Sequence, residues 1–337
     1  MNGGSPIVLN CSKEQTTYHD SRRNTLMIAH RMHQSQEMLT AMLVSCLCIA
    51  IGFLATSPGA AAEPPLGEHG FVDADGVKLH YVTRGKGPLL VMIHGFPDYW
   101  YSWRHQMPAL AEHFQVVAYD QRGYNESDKP EGIEQYRMDK LVADLRAVVR
   151  HFGRERATIV GHDWGGAVAW SFAMAHPEMT ERLVILNLPH PRGMLRELAH
   201  NKGQQAASQY AREFQKPDAA RLVAPEGLAF WIREPEARTL YVEAFRKSSI
   251  EAMLNYYKAN YPREPYQEPE EEFPKIACPV LVIHGLKDPA LLSDGLNGTW
   301  NWLANELTLV TIPEAGHFVQ YDAPQSVTRH LLRWLQE

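Results

Sequence analysis

Cysteine is scarce in this chain of 337 residues: there are four, and Cys11, Cys46 and Cys48 all fall in the first 48 positions. Removal of that segment would leave Cys278 alone, so no internal disulfide supports the fold. A basic excess is also missing, because 33 Lys and Arg face 39 Asp and Glu for a net charge of −6. That balance argues against nucleic acid or an anionic membrane surface as a partner, since both require an electropositive footprint. The 16 histidines show no HExxH or comparable ligand spacing, so no metal site is expected. Internal repeats and long low-complexity tracts are absent as well. What is present, 45% hydrophobic and 21% charged residues, is ordinary globular composition, with length for one sizeable domain carrying an insertion.

The N-terminal region differs in kind. Met38 to Leu54, "MLTAMLVSCLCIAIGFL", is apolar and uncharged, and Ala60-Ala61-Ala62 offers a small-residue cleavage site before Glu63. Arg22, Arg23 and Arg31 lie upstream, where an export signal carries its positive charge. Residues 1–62 are therefore read as a signal peptide with an N-terminal extension, and the protein as exported to periplasm or medium. A retained membrane anchor is the alternative, since the run falls only a little short of the roughly 20 residues a spanning helix needs. In that case the membrane would be met through this segment alone.

From Gly70 onward, short apolar runs alternate with amphipathic stretches. "GFVDADGVKLHYVTRG" predicts two strands joined by a turn at Asp75-Gly76. "PLLVMIHG", "FQVVAYD", "ATIVGHD", "RLVILNL" and "CPVLVIHG" are near-continuous apolar runs, as parallel strands buried on both faces require. "MDKLVADLRAVVRHFG" reads as a helix closed by Gly153. The pattern predicts an α/β fold: a mostly parallel eight-stranded sheet with helices on both faces. The strand–helix alternation stops near residue 190 and resumes near 274. A mainly helical, aromatic-rich insertion lies between, placed as a lid over the strand C-termini. The expected organisation is thus a core at 63–189 and 274–337, interrupted by a helical cap at 190–273.

Gly161-His162-Asp163-Trp164-Gly165 has the form G-x-nucleophile-x-G, a strand-to-helix turn that lifts its central side chain above the sheet. Asp163 stands where a serine is usual. A carboxylate attacks an sp³ carbon to give an alkyl ester, and it is a poor choice for cleaving ordinary esters, which disfavours a carboxylesterase. An acid and a histidine should follow in that order. Asp288 lies just past one buried strand and His317 on the loop after the next. The other acid position, after "RLVILNL", holds Asn187 and no carboxylate. The loop after the third strand, "HGFP", can turn the Phe96 N–H toward Asp163, where with the Trp164 N–H it would form an oxyanion hole.

These stretches together resemble the α/β-hydrolase epoxide hydrolases. "HGFPDYWYSWRHQMPALA", "YDQRGYNESDKP" and "GHDWGG" are similar to signatures of that family, and the likeness runs from about Gly70 to the C-terminus. The resemblance implies two cap tyrosines that hold and protonate an epoxide oxygen. "SQYAREFQKP" maps the first onto Tyr210 and "LNYYKANY" the second onto Tyr257, with Tyr256 as its out-of-register neighbour. It further implies a small epoxide substrate, a vicinal diol product and no cofactor, and the aromatic-rich insertion suggests that the substrate is largely apolar. Haloalkane and haloacid dehalogenases share the Asp-His-Asp triad; in a haloalkane enzyme Trp164 would serve as a halide donor, whereas fluoroacetate enzymes usually carry arginine there. Phe96, where many haloalkane enzymes place a halide-binding asparagine, weighs against that alternative. A non-catalytic binding module on the same fold is the reading from a different class.

Overall fold

The computed structural model describes residues 66–337. The expected export signal, its cleavage site and the alternative anchor all lie outside the described residues. Among the described residues no helix is long and apolar enough to cross a membrane.

Alternation and turn chemistry begin the fold. Strands β1 (Glu68–Ala74) and β2 (Val77–Arg84) pair antiparallel, from Glu68 opposite Thr83 to Ala74 opposite Val77. Asp75 and Gly76 close the hairpin, both at positive φ (55° and 82°), with the Gly76 N–H donating to Asp73 Oδ1 at 2.7 Å. The apolar runs then become β3 (Leu89–Ile93), β4 (Gln115–Tyr119), β5 (Ala157–His162), β6 (Thr180–Leu186) and β7 (Val280–Gly285). Every residue of β3, β5 and β7 is buried, as a strand covered on both faces demands. β8 (Leu307–Ile312) forms the far edge and has no fully buried residue.

The eight strands lie in the order β1-β2-β4-β3-β5-β6-β7-β8, and only β2 runs against the others. The chain steps one way from β3 to β4 and the other way from β4 to β5. With right-handed crossovers this reversal sends the connecting helices to opposite faces. The helix packing agrees. Met138–His151 lies on Trp164–Ala175, whereas the C-terminal helix Pro324–Gln336 lies on the short helix Met107–Leu110. The first of these buries Leu141, Val142, Leu145, Val148 and Val149 along one stripe. Its buried Asp144 is offset by a two-bond pair with Arg122, both bonds 2.6 Å.

A crevice for ligands opens where neighbouring strands send their connections in opposite directions. Here that point lies between the C-terminal ends of β3 and β5, the places of Phe96 and Asp163. Between β6 and β7 the chain inserts helices, among them Pro191–His200, Gln209–Phe214, Pro235–Lys247 and Ile250–Asn260, before an irregular stretch leads back to β7.

Candidate active site

Asp163 occupies a backbone conformation that few non-glycine residues adopt, φ 50° and ψ −119°, between β5 and the helix Trp164–Ala175. The turn is tight enough to dictate its flanking residues. A Cβ on Gly161 would stand 2.3 Å from the Gly165 carbonyl oxygen, and one on Gly165 would stand 2.2 Å from the Ile93 carbonyl oxygen. Only glycine fits both places, which is why the pattern G-x-D-x-G encodes this geometry. His162, buried between them, hydrogen-bonds through Nε2 to the His317 carbonyl at 2.8 Å and so ties β5 to the histidine loop.

The two carboxylate oxygens of Asp163 meet different surroundings. Oδ1 accepts the Phe96 N–H at 2.8 Å, and the Trp164 N–H also hydrogen-bonds the carboxylate. Oδ2 lies 3.7 Å from His317 Nε2, beyond hydrogen-bond length. His94 holds the β3 loop in place. Its Nδ1 meets the Gly95 carbonyl at 2.8 Å and its Nε2 accepts the Gln121 N–H at 3.1 Å. Burial pushes its pKa down to about 4, so it is neutral.

On the other side of His317, Nδ1 donates to Asp288 Oδ2 at 2.8 Å. Asp288 follows β7 and is saturated with donors. Oδ1 accepts the N–H groups of Ala290 and Leu291 at 2.9 and 3.0 Å, and Oδ2 also accepts Asn187 Nδ2 at 2.8 Å. Burial opposes the charge of Asp288, but the His317 imidazolium and these donors hold its pKa down to about 2. Burial likewise opposes a charged His317. Asp288 overrides it through charge and hydrogen bond, with Asp163 and Asp98 adding, and the pKa rises to about 9. Burial raises Asp163 above the ordinary carboxylate value, against the pull of His317 and of the Phe96 and Trp164 N–H groups.

The insertion covers this group with aromatic side chains. Tyr257 packs edge-on against Trp164 (5.1 Å between centroids), Phe96 (5.4 Å) and Phe214 (5.1 Å), with Tyr210 at 6.0 Å. Burial drives both phenols well above their ordinary pKa, and the negative charge of Asp163 adds to the effect. Both are therefore neutral proton donors at physiological pH. Tyr256 turns the other way: its hydroxyl donates to the Arg122 carbonyl at 2.9 Å and its ring packs on Tyr124 and Tyr136.

All seven residues singled out in the sequence, Phe96, Asp163, Trp164, Tyr210, Tyr257, Asp288 and His317, thus converge on one crevice. Three neighbours escaped the sequence reading. Asn187, considered there only as a missing acid, sits at φ 44° and fastens Asp288. Phe318 flanks His317 at 5.0 Å, and Trp231 of the insertion stacks on Phe318 at 3.6 Å and 4°. An asparagine at a strand end, where left-handed backbone is common, was the only legible signal among them. Among the described residues, no group of three or more His, Cys, Asp or Glu could hold a metal ion.

Sheet order, elbow and histidine–acid pair define the class: an α/β hydrolase. Comparison with known proteins agrees, since residues 88–324 match the family model described as alpha/beta hydrolase fold. The chain is 36% identical to AB hydrolase superfamily protein YfhM of Bacillus subtilis, over 79% of this chain and 97% of that one. It is 30% identical to Epoxide hydrolase 3 of Xenopus tropicalis, over 83% of this chain and 81% of that one. The crystal structure of the Bacillus megaterium epoxide hydrolase in complex with an inhibitor superposes with a TM-score of 0.72 at 33% identity, covering 80% of this chain and all of that one. The chain belongs to the epoxide hydrolase family of the α/β hydrolases.

Proposed function

We propose that this enzyme converts an epoxide and water into a vicinal diol through a covalent ester on Asp163. The observation that carries the reading is the asymmetry of the Asp163 carboxylate beneath two neutral phenols. Oδ1 accepts the Phe96 N–H, the Trp164 N–H also reaches the carboxylate, and Oδ2 stands 3.7 Å from His317 Nε2. In the first step Oδ2 attacks a ring carbon, the C–O bond breaks, and the ring oxygen takes a proton from Tyr210 or Tyr257. In the second, His317 Nε2 accepts a proton from water as the water oxygen adds to the ester carbonyl carbon. Charge then collects on Oδ1, which already accepts the Phe96 N–H, with the Trp164 N–H beside the same carboxylate. Collapse breaks the bond from that carbon to Oδ2, so the diol departs with Oδ2 and with the proton held by His317. The proton released as Asp163 re-ionises restores the resting charge of His317.

The rise of the His317 pKa fits this division of labour. Charged in the resting state, the imidazolium stabilises ionised Asp163. Alkylation removes that negative charge and lowers the pKa of His317, so the imidazolium passes its proton to the phenolate left by the first step and becomes the base. The helical insertion serves as the cap, residues 190–273 over the core at 63–189 and 274–337. Phe96 and Trp164 of the core and Phe214 and Tyr257 of the cap meet around Asp163 and favour an apolar substrate. Residues 1–62, with their apolar run and small-residue site, direct export.

The test separates this reading from a dehalogenase with the same triad. Purified enzyme is given styrene oxide and, separately, 1-bromobutane, and diol and bromide are measured. Diol with little bromide is expected, with a loss of about 10²- to 10⁴-fold when Tyr210 and Tyr257 are both changed to Phe. Bromide release that survives the double substitution, with little diol, would reject the assignment.

A further inference from the structure

The two edges of the sheet are built differently. β1 carries Glu68 and Asp73, charges of the kind that discourage strand-to-strand pairing. β8, Leu307-Thr308-Leu309-Val310-Thr311-Ile312, has no charge, no proline and no bulge, and Leu309 is 43% exposed. Its hydrogen-bond parity can be read from its inner side. The Val280 N–H donates to the Glu306 carbonyl at 2.9 Å and the Leu286 N–H to the Ile312 carbonyl at 3.0 Å. In a parallel ladder, a residue that turns its carbonyl to one neighbour turns its N–H there too. Glu306, Thr308, Val310 and Ile312 therefore face β7, and Leu307, Leu309 and Thr311 present three N–H and three C=O groups outward.

We propose that a second copy of this chain pairs with this edge, antiparallel, about a twofold axis at Leu309. The strand is self-complementary in that register. Leu309 meets its own copy, and Leu307 meets the partner's Thr311. All six outward groups of each strand are then satisfied by the other, three donors to three acceptors each way. Side chains agree with the backbone, since Leu309 packs on Leu309 across the axis and Thr308 faces the partner's Val310. No like charges stand directly opposite, because Glu306 falls against Ile312. Shifting the register by two residues in either direction leaves outward groups of this strand without strand partners. An isologous contact of this kind closes on itself and ends at two copies. It joins the two sheets into one of sixteen strands, and both crevices stay open because they lie at the switch point between β3 and β5.

Sedimentation velocity of the full chain over a concentration series tests the proposal. The expected mass is twice 38.2 kDa. Leu309→Lys places two ammonium groups against each other at the axis, and should raise the dissociation constant at least tenfold without changing turnover. Hydrogen exchange on the unmodified protein gives a second reading. The N–H groups of Leu307, Leu309 and Thr311 should be protected at high concentration and exchange freely on dilution. A wild-type chain that stays monomeric, a Leu309→Lys variant as dimeric as wild type, or amides that exchange freely at every concentration would each overturn it.

Discussion

Replacing Asp288 by Asn changes one atom and leaves the volume of the side chain nearly the same, yet the structure assigns it a large and specific cost. All four polar contacts of Asp288 use it as an acceptor: Ala290 and Leu291 N–H on Oδ1, His317 Nδ1 and Asn187 Nδ2 on Oδ2. An amide keeps one acceptor oxygen, so its NH₂ group must confront two donors whichever way it is turned. The orientation that retains the backbone pair leaves the NH₂ facing Asn187 and His317. The imidazole can meet it only by accepting at Nδ1, which moves its proton to Nε2, the atom that must be bare to activate water. The charge that overcomes burial at His317 is lost as well, so its pKa falls from about 9. A comparable acid-to-amide change in a serine protease triad costs about 10⁴ in turnover through the wrong tautomer. We expect a loss of similar order in ester hydrolysis and a smaller one in alkylation, which needs only Asp163 and the phenols. Unmatched buried donors should cost about 1–3 kcal/mol in stability, a drop of a few degrees in Tm. The assay is intact-mass spectrometry after exposure to a reactive epoxide, beside steady-state diol formation. Asp288→Asn should accumulate one adduct, heavier by the mass of the epoxide, and the adduct should map to Asp163. A variant that turns over within tenfold of wild type and shows no adduct would refute the role of Asp288 and the tautomer argument with it.

Two further outcomes follow from the same geometry. His317 has a folded pKa raised to about 9 from 6.5, so its contribution to stability is full below pH 6.5 and is lost as pH rises through 9. Thermal melts should show Tm falling across that window in wild type and a flatter profile in His317→Gln. Single-turnover ester hydrolysis should rise with pH and level off at a pKa below 9, because the alkylated Asp163 no longer stabilises the imidazolium; a rate that falls over this range would contradict His317 as the base. Gly165→Ala places a methyl 2.2 Å from the Ile93 carbonyl oxygen and 2.5 Å from that of His94, backbone atoms that cannot step aside. Its overpacking cost is about 3 kcal/mol or more, read as a lowered denaturation midpoint, and an unchanged midpoint would mean the turn is looser than described.

The sequence by itself carried whatever is written in local pattern. Continuous apolar runs marked β3, β5 and β7, since strands covered on both faces have no polar side to show. Asp75-Gly76 marked the hairpin because few other residue pairs accept two positive φ angles in succession. The G-x-D-x-G stretch exposed the proposed nucleophile, and the chain order Asp163, Asp288, His317 followed from where strands end. Relations across chain separations were another matter. Whether Tyr256 or Tyr257 faces Asp163 depends on the roll of the helix Ile250–Asn260 against the core, and two adjacent tyrosines look alike in one dimension. Asn187 appeared in the sequence only as a residue that was not an acid. It became the support of Asp288 once β6 and β7 were paired side by side, 101 positions apart in the chain. The asymmetry of the Asp163 oxygens, and the stacking of Trp231 on Phe318, likewise exist only after sheet and insertion close together. Periodicity and turn chemistry act over a few residues, and a chain shows them directly. The direction of a lone pair is set by groups that meet only in the folded molecule.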